Sequence, residues 1–479
     1  MSIDKSQQLN ELLESAHQAG KLIKEYAEEG KAIRIVSHLD ADGLASAGIL
    51  GKALSKMDSN FSIRIVKRID ESILKELSSL KASMLIFTDL GSGYLDLIKT
   101  YLSNFQVVVL DHHMPVGTPP PKFSHVNPHL HGFDGGEEIS GSGVVYLTVK
   151  SIDASNVDSA CVAIIGALGD LQDKNKEREL TSINKYIVND AIKANFLEVK
   201  KDLIFYGRET RPIHKALAST TAPFLPGLSG EEDACLSFLS TLGIRLKDGD
   251  TWRTLSDLES EEKTSLFSEL TKLFVSKGFP GDAALSLIGT VYILTRENRW
   301  SPLRDAREYA SLINVCGRMG KAGLGVAICM GDRGAALEEA EAVYSTYRKT
   351  LAKYIDWVTC EPKAREELDS IYVIHGENEI DEKILSAVTT ILSSNGFFAE
   401  EKPIIAVASS NEEFKISARA SNSLVERGLN LGEIMREASI KFSGMGGGHR
   451  VAAGAQVPKG NLSDFIKYVN QLVRGSLGK

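Results

Sequence analysis

The chain has 479 residues, enough for about three domains. Hydrophobic residues make up 43% and charged residues 25%, which excludes disorder throughout, collagen and a small disulfide scaffold. Fifty-five basic residues against 63 acidic ones leave a net charge of −8, so contact with nucleic acid would run along a local basic track rather than a general cationic coat.

Residues 5–29 lack proline and place Leu9, Leu12, Leu13, Ala16, Leu22 and Ile23 at helical spacing, which predicts an amphipathic helix ending at Gly30. No apolar signal-peptide core precedes it. β-rich runs follow at Ala32–Ser37, Phe61–Val66, Met84–Thr88 and Val107–Leu110, with helical stretches at Gly43–Met57 and Glu71–Leu80 between them. Strands alternating with helices predict an α/β fold with a parallel sheet, whose strand order periodicity does not give. Gly207–Gly230 reads as a loop-rich connection, 231–280 as amphipathic helix, and Leu285–Thr295 and Gly325–Met330 as strands. Residues 333–358 predict a long linking helix. Then come strand Ile371–His375, helix Asp381–Ser394, strands Pro403–Ser409 and Phe414–Ala420, helix Leu424–Ala438, a Gly-rich loop Ser443–His449 and a helix near 462–475.

This organisation predicts a sheet domain over 1–180, an inserted mixed, largely helical region over 181–340, a linking helix over 341–360 and a smaller α/β domain over 361–479. Cys161, Cys235, Cys316, Cys329 and Cys360 are odd in number and scattered, which fits buried thiols in a reducing compartment. The longest apolar runs, such as Leu285–Leu294, fall short of the roughly 20 residues a membrane span needs, so a soluble, cytoplasmic protein is expected.

Three predicted strands end in chemistry-bearing residues. The first runs into Ser37-His38-Leu39-Asp40-Ala41-Asp42-Gly43, the third into Asp89-Leu90-Gly91 and the fourth into Asp111-His112-His113. Parallel sheets bind ligands beyond the carboxyl ends of their strands, so these ends converge on one crevice. Asp40 and Asp42 repel each other unless a cation sits between them, and oxygen ligands with imidazole and no thiol suit Mg²⁺ or Mn²⁺. Each feature has a plain alternative: Asp42 could cap the helix that follows, Asp89 could close a turn, and the histidines could be a polar strand end. Asp170 ends an apolar run, Val162–Gly169, where a helix C-terminus disfavours a carboxylate. Together the four positions supply what a two-metal hydrolytic site needs.

These motifs, in this order, resemble those of the DHH phosphoesterase superfamily. Gly444-Met445-Gly446-Gly447-Gly448-His449 with Ala452-Ala453-Gly454 is similar to the substrate-binding motif of its associated C-terminal domain. The segments Gly207–Gly230 and Arg307–Gly320 resemble archaeal RecJ-like exonucleases, some of which associate with the GINS replication complex. The resemblance implies phosphodiester hydrolysis of single-stranded DNA or RNA from an end, with two Mn²⁺ or Mg²⁺ ions. It implies that Asp89 bridges both ions, that His38 and Asp40 hold one, and that Asp42, His112 and Asp170 hold the other. His113 would stabilise the scissile phosphate and Asp111 would orient a ligand histidine. Ser417, Arg419, Gly446, Gly447, Gly448 and His449 would bind substrate. Arg208, Arg211 and His214 would touch the entering strand or act as structural ties; Asn127-Pro128 and Ser140-Gly141-Ser142-Gly143 would lie near the site or simply make turns. A small-substrate phosphodiesterase and a GINS-bound scaffold, like the eukaryotic replisome relative with a decayed site, are the alternatives.

Overall fold

A computed structural model of the chain describes residues 3–220, 225–276, 281–394, 397–410 and 412–478. The chain divides into two units: Met1–Ala218 with Glu231–Tyr344, and Ser219–Gly230 with Ser345–Lys479.

In the first unit, α1 (Ile3–Glu28), β1 (Ile33–His38), α2 (Ala41–Lys56), β2 (Phe61–Val66), α3 (Glu71–Ser78), β3 (Met84–Thr88), α4 (Leu95–Leu102), β4 (Gln106–Leu110) and β5 (Phe123–Val126) follow in order. The strands form one sheet, ordered β2-β1-β3-β4-β5, and every pairing is parallel. The central β3, MLIFT, is apolar up to its final Thr88 and wholly buried, as a strand covered on both faces must be. The edge strand β2 alternates instead, exposing Ser62 and Arg64. One face packs on α1 and α2 together with α5 (Gly141–Ile152) and α6 (Ala160–Gly169). The other face packs on α3 and α4 through Leu74, Leu77, Ile98 and Leu102. The sheet is therefore the middle of three layers, and its carboxyl edge is left open.

The chain continues through α7 (Ser182–Lys193), β6 (Leu197–Leu203), α8 (Ile213–Ala218), α9 (Glu232–Thr241), a short hairpin β7 (Lys247–Asp248) and β8 (Thr251–Trp252), α10 (Ser260–Ser276) and β9 (Ile288–Leu294), which pairs antiparallel with β6. The loop-rich expectation for 207–230 gives way to helix at α8. The helical expectation for 231–280 holds for α9 and α10, while 277–280 lie outside the described residues. Next come α11 (Ala306–Arg318), α12 (Ala322–Met330) and α13 (Ala335–Cys360). The expected strand at Gly325–Met330 is helix α12. It is a short, almost wholly apolar run packed beside α2 and α11, and such a run has no period by which strand and helix can be told apart. Residues 181–218 and 231–344 belong to the same unit as the parallel sheet. Four cysteines are buried; Cys360, expected to be, is exposed. Among the described residues no helix is long and apolar enough to cross a membrane.

The second unit holds β10 (Arg365–Glu367), β11 (Tyr372–His375), α14 (Leu385–Ser394), β12 (Ile404–Ser410), β13 (Glu413–Arg419), α15 (Asn422–Glu426), α16 (Leu431–Lys441), β14 (Met445–Gly448), β15 (Ala452–Pro458) and α17 (Leu462–Ser476). Its sheet runs β10-β11-β12-β13-β15-β14, with only β11–β12 parallel. Two expectations change. The helix over Leu424–Ala438 is two helices, broken where Gly428 takes φ +106°. The Gly-rich loop is an edge strand, β14, antiparallel to β15. Glycine weakens a strand, which is why the segment reads as loop, but here it lets β14 lie against α16: a Cβ on Gly446 would come 2.6 Å from the Met435 carbonyl oxygen.

Candidate active site

Every polar strand end identified in the sequence lies at the open carboxyl edge of the parallel sheet. His38 ends β1, and its Nδ1 stands 2.9 Å from Asp40 Oδ2 and 3.8 Å from Asp89 Oδ2. Asp40 is the residue that caps α2, accepting from the Gly43 N–H at 3.0 Å. Asp42, whose plain alternative was to cap this helix, lies inside the first turn and is buried. Its two oxygens accept the N–H groups of Gly141 (2.7 Å) and Ser142 (3.0 Å), the first turn of α5. That helix start is a ready site for a carboxylate.

Asp89 follows β3 with φ +56°, and its N–H extends the ladder to the Leu110 carbonyl at 3.0 Å. A Cβ on Gly141 would come 2.8 Å from the Asp89 Cβ. Ser140-Gly141-Ser142-Gly143 therefore serves both suggested roles: Ser140 caps α5 and Gly141 forms the wall against Asp89.

Asp111 is fully buried and accepts from the N–H groups of Ser92 (2.9 Å), His112 (2.8 Å) and His113 (3.2 Å) and from His113 Nδ1 (2.8 Å). Burial opposes its charge, but these bonds, led by the His113 ring, hold its pKa below the usual carboxylate range. Its carboxylate thus orients the His113 ring, whereas the sequence reading had it orient a metal ligand. The His112 ring is oriented by the Gly135 carbonyl, 2.6 Å from Nδ1. A carbonyl only accepts, so Nδ1 carries a proton, and Nε2 faces Asp89 Oδ1 (3.2 Å) and Asp42 Oδ2 (3.9 Å); burial opposes a charged ring, but Asp42, Asp170 and Asp111 raise its pKa above the ordinary value. Asp170 is the C-cap of α6, 3.9 Å from His112, and is partly exposed.

Among the described residues, donor atoms fall into three overlapping groups, each within 4.8 Å: His38, Asp40 and Asp89; Asp42, His112 and Asp170; and Asp89, Asp111, His112 and His113. Burial, then Asp42, Asp40, Asp111 and Asp170, push the Asp89 pKa well above the ordinary value. Burial and the neighbouring Asp42 and Asp40 push Asp170 up to about 6, against the pull of His112. Carboxylates this crowded and buried cannot all stay ionised at low cost unless cations lie among them. The donor set, carboxylate and imidazole without thiol, fits Mn²⁺ or Mg²⁺.

One positioning residue, Gln172, escaped the sequence reading, and Asn127, expected near the site or in a turn, does both. Gln172 donates to the Gly135 carbonyl (2.8 Å) and to Asp170 Oδ2 (3.2 Å), and accepts from Asn184 (2.6 Å). Asn127 donates to Ser92 Oγ (2.9 Å) and to the His113 carbonyl (2.8 Å), so it ties down the His113 loop. Only proximity in sequence to Asp170 signals Gln172. Arg208 is buried and paired with Asp202 and Glu209, Arg211 lies 4.9 Å over the Tyr206 ring, and His214 packs on Trp252. These three are structural ties. A cavity of about 480 Å³ is lined by His38, Asp89 and His113 together with Lys67, Arg68, Tyr94 and Met114.

In the second unit, Ser417, Gly454 and Gly447 stand in register across β13, β15 and β14, a row with one side chain. Arg419 donates to Thr390 Oγ1 (3.0 Å) and the Ala418 carbonyl (2.8 Å). His449 is exposed in the turn between β14 and β15.

Three family models match in chain order: the DHH family N-terminal domain over residues 32–169, the DHH-CID domain over 205–288 and the DHHA1 domain over 370–475. An uncharacterized protein of Methanocaldococcus jannaschii is 30% identical over 447 residues, covering 92% of this chain and 93% of its own length. The chain belongs to the DHH family. Within that family it is RecJ-like. The single-stranded-DNA-specific exonuclease RecJ of Thermus thermophilus is 31% identical over 170 residues, 33% of this chain and 25% of that protein. The structure of Thermus thermophilus RecJ in complex with Mn²⁺ shares the fold, with TM-score 0.57 and 18% identity over 96% of this chain and 54% of that one. The DHH chain thus spans about half the length of that enzyme. CDC45 of Entamoeba histolytica also shares the fold, with TM-score 0.67 and 12% identity over 96% of this chain and 99% of that one.

Proposed function

We propose that this DHH protein is a metal-dependent exonuclease that hydrolyses phosphodiester bonds of single-stranded DNA or RNA from an end, in replication or repair. The observation that carries the reading is His112. Its Nδ1–H is held by the Gly135 carbonyl, and its Nε2 faces carboxylates of two donor groups at once, where a cation would displace any Nε2 proton. His38 and Asp40 would hold one divalent ion and Asp42, His112 and Asp170 a second, with Asp89 within reach of both. Such ions acidify an attacking water and offset charge on the phosphate. Asp111 stays ionised and keeps the His113 Nδ1–H engaged, which raises the His113 pKa and leaves Nε2–H to donate to a phosphate oxygen. Lys67 and Arg68 supply the local positive charge that a chain of net charge −8 needs to meet a phosphodiester backbone, and Tyr94 offers a ring for a base. In the DHHA1 domain, Ser417, Arg419, Gly446–Gly448 and His449 grip the strand.

The test is incubation with Mn²⁺ and end-labelled DNA and RNA oligonucleotides. Stepwise shortening from one end is expected, abolished by Asp89→Ala. Cleavage of dinucleotides alone would instead establish the small-substrate phosphodiesterase. The fold shared with CDC45 favours a second reading, a replisome scaffold that binds GINS. A scaffold needs no metal ligands, and all six positions here are retained, so the exonuclease reading ranks first. Capture of purified GINS by Asp89→Ala protein would show that both roles coexist.

A further inference from the structure

The segment Arg307–Gly320 has so far been left without a role. It forms α11, and that helix touches both metal-bearing loops from outside the sheet. In its first turn, Arg307 pairs with Asp173, which is buried three residues beyond Asp170. The other arm of the guanidinium donates to the Thr290 carbonyl of β9 at 2.7 Å. In its last turn, Gly317 lies so close to Leu39 that a Cβ would overlap the Leu39 carbonyl oxygen. Leu39 stands between His38 and Asp40.

The turn after α6 needs such an anchor. Leu171 has φ +60°, an unfavourable conformation for a branched side chain, and the residue is 51% exposed, so packing does little to offset the strain. The Leu171 N–H to Leu168 carbonyl bond (3.1 Å) and the Gln172 N–H to Ala167 carbonyl bond (3.0 Å) make the turn a tight unit. Moving Asp173 therefore moves Asp170. At the other end, nothing larger than glycine fits between α11 and Leu39. Arg307 and Gly317 are ten residues apart on one helix, about 15 Å along its axis.

We propose that α11 is the positioning element of the metal centre. Arg307 sets Asp170 for one donor group, through Asp173, and Gly317 sets His38 and Asp40 for the other, through Leu39. Glu308 on the same helix accepts from the Glu209 N–H (3.2 Å) and Thr210 Oγ1 (2.7 Å), so α11 also ties the start of the DHH-CID segment to the centre. The proposal rests on the two-ion reading given above.

The test is Mn²⁺ titration of metal-free, full-length protein, followed by the electron paramagnetic resonance of free Mn²⁺, with two stepwise constants read for each variant. Asp170→Asn and Asp40→Asn mark which constant belongs to which group. Arg307→Ala is expected to weaken the Asp170-dependent constant at least tenfold and leave the other within threefold. Gly317→Ala is expected to do the reverse, and Arg307→Lys to give a smaller loss than Arg307→Ala. If Arg307→Ala does not fold with Asp173 left unpaired, the double variant Arg307→Ala/Asp173→Asn removes both charges and must show the same selective loss. Folded variants with unchanged constants, or with both constants reduced equally in each, would overturn the proposal. Wild-type protein that binds two Mn²⁺ but cuts no oligonucleotide would sink the exonuclease reading and leave this inference standing. Wild-type protein that binds fewer than two would sink both.

Discussion

Replacing Asp89 by Asn should make the metal-free protein more stable while it abolishes the response to metal. In the absence of cations, Asp89 is buried among four other carboxylates, and its oxygen lies within 4.8 Å of Asp40. At an effective dielectric constant of about 20, one like-charge pair at that separation costs about 3 kcal/mol. Protonation relieves part of this, so a gain of about 1–3 kcal/mol in unfolding free energy is expected for Asp89→Asn near pH 8. The new amide also offers an N–H to His112 Nε2, 3.2 Å from the replaced oxygen. The sign with pH follows from the raised pKa. The folded state holds the Asp89 proton more tightly than the unfolded chain, so wild-type metal-free stability falls as pH rises from the ordinary carboxylate range through the raised value. The variant should lack this contribution and show a flatter profile. With Mn²⁺ at a hundred times its dissociation constant, wild-type protein should gain about 2.7 kcal/mol per site, and the variant much less. Urea denaturation in chelator and in Mn²⁺, from pH 5 to 8, reads all three quantities. A variant less stable than wild type without metal, yet equally protected by Mn²⁺, would refute the reasoning.

Gly166→Ala should place a methyl group onto Asp42 Oδ1 and Ser142 Oγ; a loss of about 1–3 kcal/mol in urea denaturation and at least tenfold in hydrolysis is expected. Asp111→Asn should remove the charge that raises the His113 pKa, so the alkaline limb of the rate profile should move to lower pH, measured as hydrolysis rate from pH 6 to 9. Gln172→Leu strips the buried Asn184 amide and the Asp170 carboxylate of a partner; about 1–3 kcal/mol of stability should be lost, and urea denaturation checks it. Gly446→Val should push β14 away from α16 and weaken single-strand binding in a filter assay while leaving Mn²⁺ affinity unchanged.

The parallel-sheet half was legible because its inner strands are covered on both faces. Such strands read as unbroken apolar runs, and the abrupt polar residues at their ends, His38, Asp89 and Asp111, mark where the sheet meets solvent. The same logic failed at Gly325–Met330, where an apolar run is buried as a helix. It failed again at Met445–Gly448, where a strand carries almost no side chains.

From the sequence alone came the α/β class, the residue types of the centre and the chemistry those types favour, since burial and charge leave their mark on composition residue by residue. Tertiary structure alone decided which carboxylate caps α2 and which meets the start of α5. It also decided which ring nitrogen of His112 meets the carboxylates, that Gln172 and Gly135 support the centre, and that Arg307 reaches Asp173. Those roles depend on hydrogen bonds between residues far apart in the chain, as with Asp42 and Gly141 or Arg307 and Asp173, and no local pattern records such partners.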